Sequence, residues 1–260
     1  MSSSLDRHLA SLQGVWKGGF YAGDPFDRLH SPYGTFGYVA VPYAIAAACI
    51  RPYVGSDTVA LEVGPGRGAY TRALLPAREL WCLDALSAEH NRFWEYVGEA
   101  PHVHYVQVTD FTCAMVPDDA VDFVFSYDAL CHVPFDGIEA YAASLLRKLR
   151  PGAHAFWMVA DFAKYRRFIA ERPTVSPALT QEIARPWVRG LVERVARHVE
   201  DRRLARYRAF IDAPQGPEGS WWYDAGTTRT AEMLERHGYR VLDADVGIDP
   251  RSPILHFVRP

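Results

Sequence analysis

Between residues 58 and 160 short apolar runs alternate with segments of helical period. TVALEV (Thr58–Val63), LWCLD (Leu80–Asp84), HVHYVQV (His102–Val108), VDFVFSY (Val121–Tyr127) and AFWMVA (Ala155–Ala160) are of strand length. The segments Ala69–Leu75, Ala88–Val97 and Gly137–Arg150 lie between them and read as helices. The last opens behind Asp136, with Glu139 three residues on, and stops at Arg150-Pro151-Gly152. This alternation predicts a parallel sheet with right-handed crossovers. After the fifth run the rhythm breaks. Residues 173–210 are helix-like and Arg-rich, and the breaker-rich DAPQGPEGS (Asp212–Ser220) follows. The pattern then resumes with a helix at Thr228–His237, stopped by Gly238, and strands at Tyr239–Val246 and Ile254–Val258. The expected architecture is one α/β domain over residues 1–260 with a helical cap inserted over 162–224.

Composition narrows the class. The 260 residues are 49% apolar and 23% charged, as in ordinary globular proteins. No run of 18 apolar residues is present, so no membrane span is expected, and the N-terminal residues do not read as a secretory signal. Cys49, Cys82, Cys113 and Cys131 show no C-x-x-C spacing, which fits a reducing cytoplasm and argues against a zinc site. A net charge of −3 disfavours nucleic-acid binding. Residues 161–210 nevertheless hold twelve Lys+Arg against six Asp+Glu. Such a block suits a phosphorylated substrate, but a solvated helix face or a homodimer contact is the simpler reading. The aromatic-rich segment 20–43 precedes the first strand and is expected to act as a lid, with His30 and Tyr33 as substrate-contact candidates.

The most informative stretch is ALEVGPGRGAY, where a strand enters Gly64, Gly66 and Gly68 and passes directly into a helix. Glycine admits a sharp turn and close ligand approach, and the following helix offers unpaired N–H groups. Glu62 stands at the strand end, where an acid can hold a cationic amino group. Asp84 ends the second strand, where a ribose diol is expected. Asp110, with Phe111 beside it, follows the third strand and is placed to meet an adenine. The loop also fits G-x-G-x-x-A, a weak dinucleotide signal. Glu62 argues against that reading, because a pyrophosphate would meet its carboxylate.

E-x-G-x-G-x-G followed by Asp84 and Asp110 resembles the class I S-adenosylmethionine-dependent methyltransferases over about residues 59–156. The resemblance implies a Rossmann-like, mostly parallel seven-stranded sheet whose last strand is antiparallel. It implies S-adenosylmethionine as cofactor and S-adenosylhomocysteine as product. The glycines would cradle the methionyl portion, Asp84 the ribose and Asp110 the adenine, with Ser126 completing the cofactor set.

Methyl transfer to a hydroxyl requires alignment and removal of a proton. The fourth strand runs into FSYDALCHVPFD, whose titratable candidates are Asp128 and His132. Imidazole titrates near working pH, so His132 is the expected base and Asp128 its helper. This segment and EAYAASLLRKLRPG resemble sugar O-methyltransferases of glycan and natural-product clusters, as does the aromatic segment around Trp222, a substrate candidate. Ser126-Tyr127-Asp128-Ala129 lacks the N/D-P-P-Y stretch of amino-methylating DNA enzymes. No metal is expected; a Mg²⁺ between Asp128 and Asp161 is the option considered and set aside. The expected activity is O-methylation of a small sugar-containing or natural-product acceptor. An N-methyltransferase of a small amine and a non-catalytic cofactor-binding module are the alternatives.

Overall fold

The computed structural model describes residues 40–171, 186–212 and 222–260. His30, Tyr33 and most of the expected lid lie outside these residues. The described chain opens with helix α1 (Ala40–Ile45), continued as a π-helical turn over Ala46–Ile50. The sequence reading missed both. Then follow β1 (Val59–Val63), α2 (Thr71–Leu74), β2 (Glu79–Asp84), α3 (Ala88–Asn91), α4 (Phe93–Val97), β3 (Val103–Gln107) and β4 (Val121–Ser126). A 3-10 turn at Leu130–His132 leads to α5 (Phe135–Leu145), β5 (Leu149–Met158) and α6 (Phe162–Glu171). Finally come α7 (Pro186–Asp212), α8 (Thr227–Arg236), β6 (Arg240–Asp243) and β7 (Ile254–Val258).

The seven strands lie in the order β3-β2-β1-β4-β5-β7-β6, with β7 antiparallel to both its neighbours. The strand order reverses between β1 and β4, which places a ligand crevice at their carboxyl ends. Both faces of the sheet are covered, which is why β1 is buried at all five positions and reads as an unbroken apolar run. Leu61, Val124 and Trp157 share one core with α5 and α8; Ala60, Phe125 and Phe156 share the other with α1 and α4.

Three boundaries differ from expectation for physical reasons. The expected helix over Ala88–Val97 is two helices, because Arg92 takes a left-handed φ of 52°. Its neighbour Asn91 is fully buried and donates to the Tyr105 hydroxyl at 2.8 Å, so the chain turns to seat it against β3. The helix expected at Gly137–Arg150 starts at Phe135 behind Pro134 rather than at an Asp136 cap, and ends at Leu145. Leu149 instead pairs with Val121, so β5 begins six residues before the apolar run that announced it. Pro186 opens α7, the helical position where its missing N–H costs nothing. Among the described residues no helix is long and apolar enough to cross a membrane.

Candidate active site

A cleft of about 720 Å³, counting its open mouth, lies at the carboxyl ends of β1, β2 and β4. Gly64 and Gly66, Asp84, Phe111, Asp128 and His132 all line it. Residues about 60 apart in sequence thus meet at one site, because parallel strands deliver their carboxyl ends to one edge.

The glycine loop is shaped by contacts. Gly64 has φ +73°, and a Cβ there would stand 2.1 Å from the Ala129 Cβ. The loop after β1 and the turn after β4 therefore touch at a point that admits only glycine. Gly68 has φ +99°, and a Cβ would meet Val97 at 2.2 Å. Gly68 serves close packing against α4 and does not line the cleft.

Asp84 is 8% exposed, and its two oxygens accept from the backbone N–H groups of Gly66 and Leu86, each at 2.9 Å. Burial raises its pKa, and those N–H groups counter the rise. The carboxylate is fixed where loop and strand meet. Leu86, Val133, Tyr141 and Phe111 supply an apolar wall beside it. Phe111 takes φ +54° and meets Tyr141 edge-on at 5.8 Å. A buried carboxylate next to an apolar slot suits a ribose attached to a purine. None of Leu86, Val133 and Tyr141 carries a sequence signal that would have singled it out.

Besides Gly68, three expected cofactor residues stand elsewhere. Asp110 is exposed and accepts from the Thr112 backbone and hydroxyl at 3.1 and 2.9 Å, an Asx turn outside the cleft. Ser126 is fully buried and donates to the Val63 carbonyl at 2.8 Å, tying β4 to β1. Glu62 points to the face of β1 away from the cleft, where it accepts from the Thr71 hydroxyl at 2.5 Å. Burial, opposed by that hydrogen bond and reinforced by Asp84, pushes Glu62 up to about 8.

A folded-state pKa raised above the unfolded value means the folded chain holds a proton that the unfolded chain releases. Stability should therefore fall as pH rises from about 4.5 to about 8, by up to about 1.4 kcal/mol per pH unit. Glu62→Gln should remove that slope. Thermal melts of both proteins at pH 6 and pH 8 read it directly: the variant gains on wild type as pH rises. An equal pH response of the two would show that Glu62 stays ionised.

The turn after β4 carries the reactive candidates. Asp128 takes φ +57°, a left-handed conformation uncommon for a non-glycine residue. A clamp holds its neighbour Tyr127. The Tyr127 hydroxyl donates to Asp249 at 2.7 Å, and Asp249, 1% exposed, also accepts from the Arg251 backbone and pairs with its guanidinium at 3.5 Å. Burial works against the Arg251 charge, but Asp249, Asp128 and Tyr127 more than restore it. The sequence showed only a turn in GIDPRSP; nothing in it marks Asp249 and Arg251 as partners of the β4 turn.

His132 is 9% exposed and faces the Trp222 ring edge-on at 6.2 Å. Trp222 meets Tyr165 at 5.9 Å, and Tyr165 stacks on Phe168 at 6.3 Å. This aromatic shelf is held by short bonds. The Tyr223 N–H donates to the Cys131 carbonyl at 2.9 Å, and Asp224 accepts from the Phe162 N–H at 3.0 Å. Of the shelf, only Trp222 was expected.

Asp161 receives the Lys164 N–H on one oxygen and the Thr227 N–H and hydroxyl on the other, so it ties α6 to α8 and is not available to share a Mg²⁺ with Asp128. Asp128, Cys131 and His132 instead bring a carboxylate, a thiol and an imidazole within 4.8 Å. Burial, first among several causes, pushes the Cys131 thiol well up, and its S–H donates towards Asp128 at 3.8 Å.

Comparison with known proteins agrees with this arrangement. Residues 61–157 match the family model described as a methyltransferase domain. The solved "DhpI-SAM-HEP complex" is 19% identical, with the whole of both chains covered and a TM-score of 0.55. An S-adenosylmethionine dependent methyltransferase from Mesorhizobium loti is 16% identical over 85% of this chain and 98% of that one, with a TM-score of 0.54. N-methyltransferase NodS from Bradyrhizobium japonicum WM9, in complex with S-adenosylhomocysteine, is 12% identical over 98% and 100%, also at 0.54. At such identities the solved structures speak for the fold. No curated protein matches the chain. Taken with the sheet order, the match over residues 61–157 and these structures show that the chain has the fold of the class I S-adenosylmethionine-dependent methyltransferases.

Proposed function

We propose that the protein methylates a hydroxyl of a small molecule, with a sugar or a glycosylated natural product as the acceptor and the cytoplasm as its place of work. The observation that carries this reading is the convergence of His132, Asp128 and Trp222. The first two line the cleft that Gly64 and Asp84 also line, and the ring of Trp222 faces His132.

Asp84 holds the ribose hydroxyls, and the wall of Phe111, Val133 and Tyr141 takes the adenine. Bound there, S-adenosylmethionine would supply a methyl group activated by its sulfonium, with S-adenosylhomocysteine as the leaving thioether. An imidazole nitrogen of His132 takes the proton of the acceptor hydroxyl as that oxygen forms its bond to carbon. Asp128, on the turn whose Tyr127 the Asp249–Arg251 pair holds, stabilises the charge that His132 then carries. Trp222, backed by the buried Tyr165, offers a flat apolar face on which the C–H side of a sugar ring packs.

The test is a screen with methyl-labelled S-adenosylmethionine over free sugars, nucleotide sugars, glycosides, phenols and amines. The product is located by NMR, and the rate is followed against pH. An O-methyl product is expected, with a rate that rises with pH as the base loses its proton. An N-methyl product, with a limb that tracks each amine's own pKa, would place the chain among amine methyltransferases. Tight cofactor binding without transfer to any acceptor would make it a binding module.

A further inference from the structure

Helix α7 carries an uncovered apolar row. Trp187, Leu191, Val195 and Val199 recur every four residues and are 69%, 53%, 57% and 59% exposed. Positions four apart form one ridge that climbs the helix at about 26° to its axis. The other large exposed apolar residues among those described, Tyr43, Met115 and Leu242, are scattered singly in sequence. The ridge amounts to roughly 450 Å² of apolar surface, as large as the largest patch on a typical monomer.

We propose that this ridge is the contact of a two-fold dimer, in which α7 crosses α7 of a second copy of the chain. The ridge is complementary to itself. Reversal about residue 193 sets Trp187 against the partner's Val199 and Leu191 against the partner's Val195, and symmetry repeats both contacts. Two i±4n ridges interdigitate at a crossing angle of about −50°, the commonest way two helices pack. The two copies together cover roughly 900 Å², just below the low end of stable specific interfaces, so the dimer is a reversible one.

The placement of charge favours a second helix over a lipid surface. A helix lying on a bilayer segregates its charges to the face opposite the apolar one. Here Arg194, His198 and Arg202 fill the adjacent row and are exposed on the same outward side as the ridge, with Asp201 beside them. In a crossing pair these groups flank the contact and stay in water. They also bring like charges together, since α7 holds seven arginines against four acids. Salt screens that repulsion, so association should strengthen with salt, whereas binding to an anionic membrane weakens.

The inference concerns α7 alone and does not depend on the methyl acceptor. It is tested by sedimentation velocity of the full chain at low and high salt, over loadings on either side of a dissociation constant of about 10–100 μM. Wild type should pass from monomer to dimer, with a midpoint several-fold lower at high salt. Leu191→Glu/Val195→Glu should weaken association at least tenfold while keeping the wild-type affinity for S-adenosylhomocysteine, which shows that it is folded. A wild type that stays monomeric throughout, or a folded variant that dimerises as well as wild type, would overturn the proposal. So would Trp187-dependent co-sedimentation with phosphatidylserine vesicles in the absence of self-association.

Discussion

Substitution of His132 by alanine should lower turnover on the acceptor by about 100-fold or more. Affinity for S-adenosylhomocysteine should change by no more than about threefold, because an interaction needed only in the transition state lowers the rate and leaves ground-state binding intact. The residue is 9% exposed and faces an aromatic ring, a position where a proton acceptor is sheltered but reachable. Asp128→Asn should cost less, since it removes a helper and leaves the base. If His132→Ala turned over at a near-normal rate, the base would have to be Asp128, or the acceptor an amine that needs none. Single-turnover rates for the three proteins, measured with cofactor saturating, separate these cases.

Asp84→Ala should raise the dissociation constant for S-adenosylhomocysteine by about 100-fold, the loss of two charge-assisted hydrogen bonds to a diol. Part of the effect acts through the protein itself. The carboxylate accepts from Gly66 and Leu86, so its removal leaves two backbone donors without their partner and slackens the glycine loop. Asp84→Asn keeps the shape and one acceptor oxygen and should lose only about tenfold. Titration calorimetry of both variants reads the difference. Equal affinity of wild type and Asp84→Ala would move the ribose away from β2 altogether.

What the sequence disclosed and what it concealed divide along physical lines. Strands buried on both faces announce themselves, because apolar runs such as TVALEV have no other use between glycines. The glycine loop was legible as a sharp turn, but its contact with the β4 turn, where a Cβ on Gly64 would stand 2.1 Å from the Ala129 Cβ, was not. Direction of side chains was not legible. Glu62 and Val63 are adjacent, yet the pleat sends Val63 to the cleft and Glu62 to the opposite face. The same limit applies to Ser126, whose hydroxyl is taken by a neighbouring strand. Partners distant in sequence were hidden too. Asp249 reaches Tyr127 across 122 residues, and no local pattern records that meeting. Nor does local pattern reveal that Tyr165 and Phe168 continue the Trp222 shelf, since aromatic residues on a helix usually report its packing face.

The resemblance in the glycine loop proved firmer than the one in the chemistry loop. A cofactor site is built from backbone shape and a few acids that any acceptor leaves unchanged. The proposed acceptor shelf of Trp222 and Tyr165 comes from the segment after β5, where the chain departs most from the regular α/β rhythm. That asymmetry sets the order of experiments, with cofactor before acceptor.

The most direct test is a calorimetric titration of the wild-type chain with S-adenosylhomocysteine, with NADH run under the same conditions. One site of micromolar affinity for S-adenosylhomocysteine and no heat from NADH is the result that the cleft predicts. Binding of NADH in preference, or of neither, would contradict the assignment of the glycine loop and of every role built on it.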